Sequence, residues 1–280
     1  MRQGETPFAS LPLDAGGRSL DVLVTGTSRG IGRATAELFL ARGHRVWGLD
    51  VLPASIEHPR YQHVIADVRD REALPADIAP QVIVSNAGVQ DSGADIDVNL
   101  KGAINVCERY AFAPGGRTPA PQVRAVVLVG SSSGHTGAEF PEYAASKGGV
   151  LAYAKNLAQR LAPQATCNSV DPGGVLTELN RPVMDDPVLW ERIMSLTPLR
   201  RWATPEEIAE SNLRVALIGE LVKARKERGL SQKQLEELTG VKQPVIARME
   251  NGSTTPNLST ILKVLAPLGK TLYIGDLKEV

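Results

Sequence analysis

Apolar and polar positions divide the chain into two stretches with different rhythms. Over the first two thirds, short continuous apolar runs alternate with segments of helical period. Leu20-Asp-Val-Leu-Val-Thr25 is a run of the kind a buried parallel strand requires. It leads directly into Gly26-Thr-Ser28-Arg29-Gly30-Ile31-Gly32, after which Ala34 to Ala41 repeats with helical period and Gly43 marks a stop. Further strands are predicted at Arg45 to Asp50, His63 to Ala66, Gln81 to Val84, Arg124 to Val129 and Cys167 to Val170. Long helices are predicted from Val98 and across Tyr143 to about Leu161. Strands alternating with helices at this pitch predict an α/β domain built on a doubly wound parallel sheet.

From Thr204 the rhythm changes. Thr204-Pro205-Glu206-Glu207 reads as a helix start, with a capping threonine, proline in the first turn and acids at the positive end of the helix dipole. Leu217 to Arg228, Gln232 to Thr239, Val241 to Met249 and Leu258 to Leu265 then read as short helices punctuated by Gly229, Gly240 and Gly252. Short helices joined by a glycine-containing turn predict a small all-α helix-turn-helix domain. The expected division is a loose arm over residues 1–19, the α/β domain over 20–210 and the helical domain over 213–275. A strand-like run, Lys270-Thr-Leu-Tyr-Ile-Gly, follows the last helix.

Composition changes this picture little. The formal charge of the 280 residues is zero, but from Arg214 onward 11 Lys and Arg face 7 Asp and Glu, which suits an anionic partner for the tail. Cys107 and Cys167 stand in no metal-ligand spacing and read as buried thiols, and no metal site is expected. No apolar run reaches the roughly 18 residues of a membrane span, and the start has no signal-peptide core, so a cytoplasmic protein is expected.

The glycine turn between a strand and a helix carries the first chemistry. Gly26, Gly30 and Gly32 permit a tight turn and a close approach of backbone to a pyrophosphate. Ser28, Arg29 and Ile31 fill the turn, and the helix N-terminus faces the charge. Asp50, 18 residues after Gly32 at the end of the next strand, can accept both ribose hydroxyls and repels a 2′-phosphate. Arg29 could hold that phosphate instead; Asp50 carries more weight, so NAD is expected over NADP. Asp67-Val68 and Asn86-Ala87-Gly88, small or polar residues at strand ends, leave room for a flat cofactor. Tyr143 and Lys147, four apart, share a helix face. There the ammonium favours the phenolate and draws the tyrosine toward the range of a general acid/base.

Together with Asn99, with Gly130-Ser131-Ser132-Ser133-Gly134 and with Asp171-Pro172-Gly173-Gly174-Val175-Leu-Thr177, these motifs resemble the short-chain dehydrogenase/reductase family. The resemblance covers roughly residues 20 to 210 and implies a Rossmann fold. It implies Tyr143 as acid/base and Lys147 as the group that lowers its pKa and holds the nicotinamide ribose. By the same resemblance Asn99 anchors a water and a serine binds the substrate oxygen: Ser131 when Gly134 is aligned, with Ser132 the alternative. Val175 and Thr177 would fix the carboxamide end of the cofactor, with Pro172 and Gly173 also among its binding residues. His135 has no evident partner. The implied substrate is a secondary alcohol or ketone, walled by the loop after Gly88, residues 135–142 and the segment Leu176 to Leu199 with Met184 and Trp190.

The chain departs from that family in two places. Asn99 follows Gly88 by only 11 positions, and the family's final strand signature is absent after Thr204, so the sixth strand is expected as an edge.

Leu230-Ser231-Gln232, Gly240-Val241-Lys242-Gln243, Ile246-Ala-Arg248-Met-Glu-Asn-Gly252 and Pro256-Asn257-Leu258 resemble phage-repressor type (Xre family) helix-turn-helix domains, antitoxins among them. That resemblance implies DNA as partner and dimeric binding, with Gln232 and Asn257 on phosphates. Lys242, Gln243 and Arg248 would lie on or near the recognition helix. The expectation is thus an oxidoreductase joined to a DNA-binding module and assembled as a homo-oligomer. The alternative is a regulator whose dehydrogenase half senses the cofactor or is inactive.

Overall fold

The computed structural model of the chain describes residues 19–138, 140–250 and 258–270. Four central apolar runs and two less buried edge runs form a parallel sheet: β1 (Asp21–Thr25), β2 (Arg45–Asp50), β3 (Tyr61–Ile65), β4 (Val82–Ser85), β5 (Ala125–Val129) and β6 (Thr166–Val170), in the order β3-β2-β1-β4-β5-β6. The order reverses between β1 and β4, which opens a crevice at the carboxyl ends of those strands.

Period-two alternation sends each strand to two cores. Leu23, Ile83, Val126 and Leu128 face one side, against Val106 and Tyr110 of α2 (Ala103–Tyr110) and Leu157 of α4 (Pro141–Leu161). Val22, Val24, Val84 and Val127 face the other, against Phe39 and Leu40 of α1 (Gly30–Ala41) and Leu213 and Ala216 of α7 (Pro205–Glu227). A π-helical segment, Ile96–Gly102, leads into α2.

The regular strand–helix alternation fails in two connections. Residues 51–60 and 66–81 hold no helix. Pro53 and Pro59 interrupt the first, and Pro75 and Pro80 the second; proline removes the N–H that a helix needs. Single apolar side chains fill the cores instead: Ile56 on one face, Leu74 and Ile78 on the other. Among the described residues β6 is the sheet's last strand. The run after Lys270, like the arm before Ser19, lies outside the described residues.

The two expected helices at Thr204 and Leu217 are one. α7 runs unbroken through residues 210–213, opened by a full capping box between Thr204 and Glu207. Its first half packs on α1, and Asn212 Nδ2 donates to Thr35 Oγ1 (3.1 Å), both side chains fully buried. Its last turns join a third core with α8 (Gln232–Thr239), α9 (Gln243–Glu250) and α10 (Leu258–Leu265). Ala224, Leu235, Ile246, Met249, Val264 and Leu268 meet there. No helix among the described residues is long and apolar enough to cross a membrane.

Candidate functional site

The crevice begins where β1 ends. Gly26 (φ +75°) and Gly30 (φ +55°) adopt a backbone that side chains disfavour, and a Cβ on Gly32 would lie 2.0 Å from the Gly26 carbonyl oxygen. The glycines therefore let α1 start tight against the strand end. Thr25 Oγ1 accepts from the backbone N–H of both Asn86 and Ala87 (2.9 Å each), and Asn86 Nδ2 donates to Thr25 O (3.0 Å). One threonine thus ties the two loops that flank the crevice.

At the neighbouring strand end, Asp50 accepts from Ser28 N (2.9 Å) and Leu52 N (3.0 Å). Arg29 stands exposed at the rim beside Ile31. Asp67 is clasped by Arg69 (2.6 Å), whose guanidinium holds the carboxyl below its ordinary range. Val68 packs into Gly102, where a Cβ would meet its methyl at 2.5 Å.

The middle of the crevice gathers the expected chemistry. Ser131 follows β5 and is buried, its Oγ accepting from Ser133 N (3.1 Å), whereas Ser132 is exposed. Both line the crevice. Lys147 lies one helical turn from Tyr143, with Nζ 5.8 Å from the ring centroid, and donates to Val129 O (2.9 Å). Burial draws its pKa down to about 8, opposed by the charges of Asp171 and Asp95. A Cβ on Gly134 would meet the Lys147–Gly148 backbone at 2.8 Å, so this glycine lets the short α3 (Ser133–Thr136) close onto α4.

Asn99 is buried, but both its amide hydrogens are used, on Val89 O and Ser146 Oγ (2.9 Å each), while Oδ1 accepts from Val89 N (2.8 Å). The side chain thus ties the shortened loop after Gly88 to α4.

Beyond β6, Pro172 O accepts from Ser132 N (2.8 Å), Gly173 is exposed on the crevice, and buried Val175 bridges to Ala203. The chain between them is a lid made of a 3₁₀ turn (Glu178–Asn180), α5 (Arg181–Met184) and α6 (Pro187–Leu196). Thr177 and Glu178 reach the glycine turn. Leu179, Val183, Leu189 and Ile193 line the crevice with Phe140 and Trp202. Trp190 and Met184, expected as wall residues, are not among the lining; Trp190 backs Trp202 edge-on at 5.0 Å. The crevice is about 810 Å³. His135, which the sequence left without a partner, has one: its Nε2 lies 3.2 Å from Asp171 Oδ2, which also accepts from Ser169 Oγ (3.1 Å).

The nucleotide-sized crevice, the closely apposed glycine backbone and the ammonium beside a phenol fit a nicotinamide dinucleotide. Apart from Lys147, the charged lining residues are Arg29, Asp50, Asp67, Arg69 and Glu178, which belong to the glycine turn, the β2 and β3 ends and the lid's first turn. Apolar residues line the crevice along its length, from Ile31, Leu49 and Val68 past Val98 and Val129 to Phe140 and the lid.

In the helical domain, Ser231 caps α8 with a reciprocal Gln234 bond, and Gly240 (φ +70°) turns the chain into α9. Gln243 Nε2 donates to Gln232 Oε1 (2.6 Å), and Gln232 Nε2 donates to Glu250 Oε2 (2.9 Å). Glu250 is held by both arms of Arg225 (2.5 and 2.8 Å), at 7% and 9% side-chain exposure respectively. This buried pair orients the two expected DNA-contacting glutamines, and nothing in the sequence pattern singled it out. Lys242 is exposed beside Glu236 (3.2 Å), and Arg248 is exposed with Nε on Pro244 O (3.2 Å). Asn257 lies outside the described residues.

Residues 21–187 match the family model described as short chain dehydrogenase, and residues 221–274 the one described as helix-turn-helix. The tail is 67% identical over 73 residues to a HTH-type transcriptional regulator of Haemophilus influenzae, spanning 26% of this chain and 74% of that protein. A short-chain dehydrogenase/reductase of Talaromyces verruculosus is 29% identical over 225 residues, spanning 68% of this chain and 86% of its own. The crystal structure of a short-chain oxidoreductase from Burkholderia thailandensis superposes with a TM-score of 0.64 at 30% identity, over 71% of this chain and 86% of that one.

Proposed function

The chain belongs to the short-chain dehydrogenase family, with a helix-turn-helix domain joined to it, and from that premise we propose that it interconverts an apolar secondary alcohol and its ketone with NAD. The observation that carries this reading is the buried Lys147 ammonium beside Tyr143 on a crevice that Ser131 also lines. When bound, the cofactor supplies or accepts the hydride. Tyr143 passes the proton to or from the substrate oxygen through its hydroxyl. Lys147 favours the phenolate, Ser131 donates to the same oxygen, and Asn99 fixes the loop that closes this end of the crevice. Phe140, Leu179, Val183, Leu189 and Ile193 give the substrate an uncharged apolar wall, which favours a neutral hydrophobic ketone.

Calorimetric titration of the full chain with NADH and NADPH tests the cofactor assignment. Asp50 would repel a 2′-phosphate, so NADH is expected to bind in the micromolar range and roughly tenfold tighter than NADPH. Asp50→Ser should erase most of that preference. Tighter binding of NADPH by the unmodified chain would reverse the assignment in favour of Arg29.

A second reading has an observation of its own. α7 packs on α1, whose first residues line the crevice, and the same helix contributes Arg225 to the pair that orients Gln232 and Gln243. On this reading the chain is a DNA-binding regulator that senses the nucleotide. A duplex enriched from a randomised library by the full chain should bind in a salt-dependent way, as a dimer complex, with an affinity that NADH alters. Gln243→Ala with Arg248→Ala should weaken binding about tenfold or more. Indifference of the selected duplex to both substitutions would dismiss α9 as the reading element.

A further inference from the structure

Resting on the dinucleotide reading of the crevice, we propose that Glu178 is a charge gate: its carboxylate, carried on the lid, sits at the glycine turn and weakens binding of the cofactor's pyrophosphate. α1 opens at Gly30 with no acidic residue in its first turn and no side-chain cap. Its free N–H groups and positive dipole end therefore face the crevice unopposed from within the helix. The lid supplies the opposing charge. At Gly30 a Cβ would stand 3.4 Å from the Thr177 methyl and 3.9 Å from Glu178 Oε2, so both side chains lie over the start of α1.

The turn that carries Glu178 is held by bonds of its backbone and of Asn180. Thr177 N donates to Val175 O (2.9 Å), Asn180 N to Thr177 O (3.0 Å), and Asn180 Nδ2 back to Val175 O (2.8 Å). That turn is anchored in turn by Leu176 N on Ala203 O (2.9 Å).

The other acids of the crevice are committed elsewhere. Asp50 accepts two backbone N–H groups at the β2 end, and Asp67 is paired with Arg69. Glu178 is exposed to the crevice, and its charge acts where a pyrophosphate would lie. In the nucleotide-free chain this carboxylate complements the helix end. A bound dinucleotide competes with it for the same positive end, and the lid must carry it aside. Arg29, at the same rim, attracts what Glu178 repels, so the two set affinity against each other. A weakened hold on the cofactor speeds its exchange, the step on which turnover often waits in enzymes with lids.

The pyrophosphate is common to NADH and NADPH, so the gate acts on both alike, unlike Asp50. The test is titration of the unmodified chain and of Glu178→Gln, which keeps size and polarity on an exposed turn. Both dinucleotides are expected to bind about three- to tenfold tighter to the variant, with their ratio unchanged, and the gain should shrink at high ionic strength. Equal or weaker binding by the variant overturns the gate, as does tightening of one dinucleotide alone. Binding of neither by the unmodified chain overturns the cofactor reading, and the gate with it. The unmodified chain therefore judges the reading, and the ratio between variant and unmodified chain judges the gate.

Discussion

Tyr143→Phe is expected to lower turnover on an accepted ketone by roughly a thousandfold, within the range for loss of a positioned acid/base. Binding of NADH should be nearly unchanged. The substitution keeps the ring, so the packing of α4 survives, and it deletes only the hydroxyl that exchanges the proton. The alkaline side of the pH profile carries a second part of this prediction. Lys147 titrates at about 8 instead of its ordinary 10.5 because it is buried. Below about pH 8 it is an ammonium and favours the phenolate; above it the charge goes, and kcat/KM for the reaction should fall. That fall is not unfolding. The native chain releases this proton near pH 8 and the unfolded chain near 10.5, so between those values the unfolded state binds more protons and this group's contribution to stability rises with pH. Activity lost while thermal stability holds would separate the two. A Tyr143→Phe variant that keeps a tenth or more of the turnover would remove Tyr143 from the mechanism.

The parts legible in the sequence were those where one local rule decides. The β1 run, the glycine turn and Asp50 announce a strand, a tight turn and a strand end within about 30 residues, and the structure brings them to one crevice. The same holds for the Tyr143 and Lys147 pair, because helical period alone places them together. What the sequence hid depends on residues far apart. His135 gains Asp171 across 36 positions, and Asn99 gains Ser146 across 47; neither separation carries a period. The continuity of α7 was hidden for another reason. Thr204 gives a clear start signal, but Leu213 and Ala216 serve one core while Leu221 and Ala224 serve another, so no single apolar face marks it as one helix. The two connections without helices follow from their prolines, which remove N–H groups a helix needs.

Arg225→Ala is expected to unfold the helical domain without disabling the crevice. Arg225 and Glu250 are 9% and 7% exposed, joined by two hydrogen bonds, and Arg225 Nη1 also donates to Leu230 O (2.6 Å). Removing the guanidinium strands a carboxylate in an interior it cannot leave cheaply, a loss of about 3–5 kcal/mol for a broken buried pair. A core built on Leu235, Ile246, Met249, Val264 and Leu268 in so small a unit has little more than that in reserve. Heating the variant should show the low-temperature transition of the helical domain lost, while NADH titration stays as in the unmodified chain, because α1 is held by Asn212 and Leu213 on the other half of α7. Replacing both partners by methionine separates structure from recognition. An apolar pair of similar volume should restore the transition, since neither charge is then left buried alone. It should not restore binding to the selected duplex, because Gln232 loses Glu250, and Gln243 then bonds to a Gln232 that nothing holds in place. If Arg225→Ala melts like the unmodified chain, the pair is not what holds α9. If the double methionine variant binds DNA fully, the glutamines need no such support.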